Sequence, residues 1–178
     1  MALIDHTYFA GEQNIPNADR TDMSERIQWL ILKHEPALLR DVLGVEMYDD
    51  LQANPGNYAG LLNGEAYTNA RGTKRYWPGL KSSSGLYKQS LIASYVYYYW
   101  LRDSATNTTG VGEVKAESEN SVRVSSVPKQ VRAWNEAVRG IEELMCYLEA
   151  NKATYTLWDA SRVRSLSSKY SPINLLGI

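Results

Sequence analysis

One cysteine, one phenylalanine and two histidines are all that 178 residues hold of three residue types that often carry chemistry or fill cores. The single Cys146 excludes an intramolecular disulfide, and its place in a helical apolar run reads as a buried thiol in a reducing compartment. With His6 and His34 as the only imidazoles, transition-metal ligation is poorly supplied, and neither metal nor cofactor is expected. Net charge is nearly missing too. Nineteen basic against 20 acidic residues leave -1, so no overall field draws the chain to nucleic acid or anionic lipid. No stretch approaches the roughly 18 consecutive apolar residues of a membrane span. The start, Met1-Ala2-Leu3-Ile4-Asp5-His6, has neither the basic nor the apolar region of a secretory signal. The expectation is a soluble, unexported chain, and the sequon Asn107-Thr108-Thr109 is accordingly read as accidental.

Catalytic signatures are equally scarce. Gly72-Thr73-Lys74-Arg75 lacks the spacing of a phosphate-cradling loop, and no Gly-x-Gly-x-x-Gly follows a strand. His34-Glu35 begins like a zinc-protease motif, but Leu38 stands where the second histidine is needed. Asp49-Asp50 and Glu142-Glu143 are neighbours on helices, so their carboxylates point about 100° apart and read as solvated faces. No nucleophile elbow marks a serine. The chain is not expected to be an enzyme.

What is present in quantity is tyrosine and tryptophan, 13 and 5 residues. These are large rings with a polar handle, enriched where protein surfaces meet. Four tyrosines fall in Ser94-Tyr95-Val96-Tyr97-Tyr98-Tyr99-Trp100-Leu101-Arg102-Asp103, a helix apolar on every side that must be enclosed on every side. Their hydroxyls need partners, so the enclosing surface reads as part core and part interface, with Tyr95, Tyr97 and Tyr98 as interface candidates.

The pattern predicts a mainly α fold: a helical bundle with a long β-hairpin-like loop and extended terminal arms. Residues 1–20 read as an arm, with Gly11 and Pro16 among turn formers. Residues 21–160 form the helical domain. Thr21 or Asp22 caps a first helix carrying Ile27, Leu30, Ile31 and His34, and Pro36 restarts it for Leu38, Leu39, Val42 and Leu43 before Gly44 stops it. A short helix follows over 45–53, then a short helix and turn-rich loop to residue 84. The tyrosine-rich helix spans about 85–103. Residues 105–126 lack a helical period, and the alternation in 114–117 and 121–124 suggests a hairpin around Ser118-Glu119-Asn120. A loop of this length in a compact domain is usually functional or disordered, which makes Val111, Glu113, Val114, Val122 and Val124 assembly candidates.

The clearest period is Val127, Val131, Trp134, Val138, Ile141, Met145 and Leu148, a 4,3,4,3,4,3 seam on a helix of about 23 residues. It reads either as core within one subunit or as a seam between subunits. Residues 161–178 read as a docking arm with two grips: Arg162, Arg164 and Lys169 for carboxylates, and Ile173, Leu175, Leu176 and Ile178 for an apolar groove. Arg71, Lys74, Arg75 and Lys81 surround Tyr76 and Trp77, a mixture able to grip nucleic acid or an acidic protein partner.

The order of these pieces carries a resemblance. Glu35-Pro36-Ala37-Leu38-Leu39-Arg40-Asp41-Val42-Leu43-Gly44 follows an arm. Tyr98-Tyr99-Trp100-Leu101-Arg102-Asp103 runs on towards Thr108-Thr109-Gly110-Val111-Gly112-Glu113-Val114, and Val131-Arg132-Ala133-Trp134-Asn135-Glu136 comes next. Over about residues 20 to 150 the chain resembles the small head-to-tail connector, or adaptor, proteins of tailed bacteriophages. The resemblance implies a structural virion protein, assembled in the host cytoplasm and located in the neck. It implies a homo-oligomeric, dodecameric ring beneath the portal protein that meets tail or neck proteins and extends a channel through which DNA passes without sequence specificity. Two rivals stand beside it: another neck or tail-completion ring protein, and a small nucleic-acid-binding module.

Overall fold

The computed structural model describes residues 2–84, 87–104, 107–109, 112–114 and 125–174; for 83, 84, 87, 107–109 and 112–114 the backbone alone is described. The fold is mainly α, as the periodicity predicts. Among the described residues the α-helices are α1 (Thr21–Leu43), α2 (Val45–Ala53), α3 (Ala59–Asn63), α4 (Leu91–Asp103), α5 (Val127–Ala150) and α6 (Val163–Lys169). Three antiparallel hairpins join them: β1 (Glu65–Thr68) with β2 (Lys74–Trp77), β3 (Ser82–Ser84) with β4 (Tyr87–Gln89), and β5 (Asn107–Thr109) with β6 (Gly112–Val114).

The bundle is organised around α4, which packs on α1 and on α5. Residues 91–97 are buried all round, including Tyr95 and Tyr97, so most of the predicted enclosure comes from within the subunit. From Val138 on, the α5 seam is core within the subunit, while Val131 and Trp134 are half-buried. Val138, Ile141, Met145 and Leu148 are buried, and Ala133, Ala137, Leu144 and Tyr147 widen the stripe, while Val127 at the end of the helix is exposed.

Several sequence expectations need correction. α1 is one continuous helix with Pro36 inside it. The proline leaves the Leu32 carbonyl without its helical donor, but Leu32 lies on the exposed face, where water can serve, and buried Ile31, Glu35, Leu38 and Leu39 hold the opposite side together. The α1 N-cap is Arg20, not Thr21 or Asp22, and makes no side-chain capping bond. Gly44 does stop the helix, at φ 90°, a conformation that favours glycine. α4 begins at Leu91 rather than near 85. Ser90 caps it by accepting the Ile92 N–H at 3.1 Å while donating to the Leu80 carbonyl at 2.8 Å. The turn-rich loop before it is two hairpins. Cys146 is exposed, on the side of α5 away from the stripe.

The terminal segments are not free arms. Residues 2–20 fold into turns at His6–Tyr8 and Gly11–Gln13 and bury Ile4, Tyr8, Phe9 and Ile15. Residues 160–169 are helical, and Leu166 and Tyr170 are buried. Described residues of both terminal segments therefore join the same core as 21–160.

Candidate functional site

The C-terminal half of α4 gathers one of two aromatic clusters among the described residues, the other joining Tyr58, Tyr67, Trp77, Tyr147 and Tyr155. His34 of α1 stacks on Tyr99 with centroids 3.9 Å apart, and Tyr95 meets Tyr99 edge-on at 5.1 Å. Trp134 of α5 lies 5.1 Å from Tyr98, 6.2 Å from Tyr95 and 6.1 Å from Tyr170. Tyr98, Tyr99, Trp100 and Trp134 are half-buried, so this junction opens at the surface where α4 ends. Arg102 caps it, its guanidinium 5.6 Å from the Tyr98 ring and 6.0 Å from Tyr99. Burial lowers the His34 pKa, with Lys33 adding to the effect, so the stacked imidazole is held neutral near pH 7. Of the three predicted tyrosines, Tyr95 and Tyr97 are core residues and Tyr98 retains surface.

From this end of α4 the chain enters the β5–β6 hairpin, registered Asn107↔Val114, Thr108↔Glu113 and Thr109↔Gly112. Glu113 and Val114 thus stand on a strand, Val114 where the alternation places one, and the expected turn at 118–120 lies outside the described residues. Val111, Val122 and Val124 lie outside the described residues, as does the expected pairing of 114–117 with 121–124.

The C-terminal segment docks on its own subunit. Tyr170 donates to Asp41 Oδ2 at 2.6 Å, and Lys169 Nζ reaches the same oxygen at 2.6 Å. Burial pushes the Asp41 carboxyl up, but bonds from Lys169 and Tyr170 outweigh it and leave the pKa below the usual value. Trp134 Nε1 donates to the Ser171 carbonyl at 2.8 Å. Asn135 bonds the Ile173 backbone twice, giving its amide to the carbonyl and accepting the N–H, each at 2.8 Å. Lys169 is thus engaged within the chain, the Arg162 guanidinium lies beside Gly44, and Arg164 is exposed. Leu175 and Leu176 lie outside the described residues.

The basic cluster does not converge. Arg71 sits in the β1–β2 turn, and Lys74 and Arg75 alternate on β2, so they point to opposite faces. Trp77 is no stacking platform: it is buried, donates Nε1 to the Leu61 carbonyl at 2.9 Å and stacks on Tyr147 at 5.6 Å. Tyr76 is open to solvent. Lys81 is half-buried beyond the hairpin.

Two features went unread in the sequence. One is a cleft of about 730 Å³ lined by residues of the N-terminal segment, the 77–79 loop, the start of α4 and α5. Its walls mix Lys88 and Arg139 with Glu12, Glu136 and Glu143, and Gln13 bridges it by donating to Ser94 Oγ at 2.6 Å and Glu136 Oε2 at 3.2 Å. Four segments so far apart in sequence leave no local signal. The other is the outer face of α1, where Trp29 and Leu32 are exposed. Their offset from the Ile27, Leu30, Ile31 and His34 stripe was the available signal. Among the described residues no group of three His, Cys, Asp or Glu is placed to hold a metal, and no helix is long and apolar enough to cross a membrane.

These features define a small α-helical bundle with hairpins at its margins and both ends folded onto one core. Residues 39–166 match the profile of DUF6712, described as a family of unknown function, and the chain belongs to that family. No curated protein and no solved structure matches the chain.

Proposed function

We propose that this protein is a structural component of a tailed-phage neck, forming a ring below the portal that joins capsid to tail and extends the DNA channel. The observation that carries the reading is the order of elements around α4. A docked N-terminal segment, three helices and two hairpins precede it, the aromatic helix runs into the β5–β6 hairpin, and a long α5 returns across it, the sequence order that resembles the connectors. The open aromatic junction at the base of the hairpin supplies surface suited to protein contact. The near-zero net charge suits a channel wall that lets DNA slide without gripping it.

The test is the mass and shape of the purified protein, alone and with portal protein, by light scattering and electron microscopy. A closed ring, lost when 112–122 are replaced by a short Gly-Ser linker while the fold is kept, is the expected result. A monomer that retards DNA in a salt-dependent way would replace this reading with a nucleic-acid-binding one.

A further inference from the structure

Part of the outer face of α1, from Arg26 to Arg40, and part of that of α5, from Glu142 to Glu149, carry opposite charge, with Glu25 exposed just before the first stretch and Arg139 just before the second. Between residues 26 and 40 the exposed side chains of α1 are Arg26, Trp29, Leu32, Lys33, Ala37 and Arg40, with no carboxylate among them. Trp29 and Leu32 are each 57% exposed and stand three residues apart on one face. Lys33 Nζ lies over the indole at 4.8 Å, screening one side of it. An indole flanked by leucine, Arg26 and Lys33 is the composition of an interface anchor, since Trp and Arg dominate such anchors, and Arg40 stands further along the helix over the Tyr48 ring at 5.0 Å. On α5 the exposed positions from 142 to 149 are Glu142, Glu143, Cys146 and Glu149, with no cation among them. Two cations border this stretch: Arg139, exposed one turn before Glu142 and Glu143, and Lys152, which reaches Glu149 at 3.5 Å in an exposed pair that is easily exchanged.

The two faces lie on different helices, each packed on α4 through its opposite, inner side. α1 meets α4 through His34 on Tyr99, whereas α5 meets it through Gly140 against Leu91 and Trp134 beside Tyr98. A twofold dimer needs one self-complementary patch, and three cations or three carboxylates would repel their own copy. Two different complementary patches give a head-to-tail contact instead, the kind that propagates into a ring when its rotation closes. We propose that the α1 face centred on Trp29 and Leu32 docks on the α5 face of a second copy centred on Glu142, Glu143, Cys146 and Glu149. This rests on the ring reading above and supplies its lateral contact. Trp29 and Leu32 cover Cys146 and the glutamate stems, while Arg26, Lys33 and Arg40 face the carboxylates. A phosphate backbone is the weaker match for the α1 face, because Leu32 and Ala37 have no use there.

Charge exchange tests this on the full chain. Variant one carries Arg26→Glu and Lys33→Glu; variant two carries Glu142→Lys and Glu143→Lys; Trp29→Ala is a third, and circular dichroism checks that each folds. Because all the substituted side chains are exposed, folding should be kept. Each variant alone should weaken assembly about ten-fold or more by light scattering and mass photometry. Mixed one to one, variants one and two should assemble again, since each then presents the face the other lacks. Assembly that survives both reversals would overturn this interface and leave the ring standing. A wild-type chain that stays monomeric up to about a millimolar would overturn both. DNA binding lost in variant one with assembly intact would reassign the α1 face to nucleic acid and also overturn the proposal.

Discussion

Tyr170 and Asp41, 129 positions apart, share a hydrogen bond of 2.6 Å in which the phenol donates to the carboxylate. It closes the chain on itself, because Lys169 pairs with the same oxygen and the buried Leu166 lies one turn before. A tail that is polar in sequence is thereby an integral part of the fold. Tyr170→Phe keeps the ring and removes the donor. It should cost about 1.5 to 3 kcal/mol, the range for a hydrogen bond to a charged group, read by urea denaturation. Truncation after Asp159 should lower the melting temperature of the free subunit, since it removes Leu166 and Tyr170 from the core. An unchanged melt would return the tail to the status of a loose arm.

A second stability term runs with pH. The Glu35 carboxyl is buried at 1% exposure and accepts the N–H groups of Leu3 at 2.7 Å and Ile4 at 3.3 Å, which ties the N-terminal segment to α1. Burial raises its pKa from 4.5 to about 7, against the two amide bonds and Lys81, which lower it. The folded state thus holds this proton more tightly than the unfolded chain. The contribution is fully present below 4.5 and is lost as pH rises through about 7, amounting to roughly 3 kcal/mol. Asp5 and Asp41, lowered from 3.8, act with the opposite sign and lose their contribution on acidification below that value. Thermal melts should therefore peak near pH 5 and fall towards pH 8. Glu35→Gln should flatten the alkaline side of that profile; a profile equally steep in the variant would assign the titration to another group.

How much of this was legible in the sequence follows from where the information sits. The α5 stripe, the 45–53 helix and the stop at Gly44 were readable because a period or a single glycine carries them locally. Pro36 misled, since whether a proline breaks a helix depends on which face it occupies and on what grips the opposite face. The start of α4 at Ser90 was hidden by an apolar run that ignores its cap, and β1 to β4 were hidden by strands of three or four residues, too short to show alternation. The polar tail gave no hint that Tyr170 would find Asp41, since nothing local links residues so far apart. The tyrosine helix announced enclosure correctly but not the encloser: His34 of α1 and Trp134 of α5 cover Tyr95, and Tyr97 is buried within the same subunit, which removes those two from the interface and leaves Tyr98.

The crossing of α4 and α5 depends on one missing side chain. A Cβ built at Gly140 would lie 2.5 Å from the Cβ of Leu91, an atom fixed to the backbone that cannot swing aside. Gly140→Ala gains up to about 1 kcal/mol of helix propensity, while overpacking at a helix contact costs about 1 to 3 kcal/mol. The clash should win, giving a net loss of roughly 1 kcal/mol and a lower melting temperature. A gain in stability would show that the helices can separate freely at this point.

Trp134 links three parts of the fold: its ring packs beside Tyr95 and Tyr98 of α4 and Tyr170 of the tail, and its Nε1 holds the Ser171 carbonyl. A fully buried tryptophan costs about 3 to 5 kcal/mol on truncation to alanine; because Trp134 is half-buried, Trp134→Ala should cost roughly 2 to 3 kcal/mol. The ring and the hydrogen bond can be separated. Trp134→Phe keeps an aromatic ring, though a smaller one, and loses the donor, so its effect should concentrate in the tail. Hydrogen exchange at 171–174 should rise in both variants, whereas exchange in α4 should rise only in Trp134→Ala. Equal protection of the tail in Trp134→Phe and wild type would mean that Asn135, through its two bonds to Ile173, holds the segment without help.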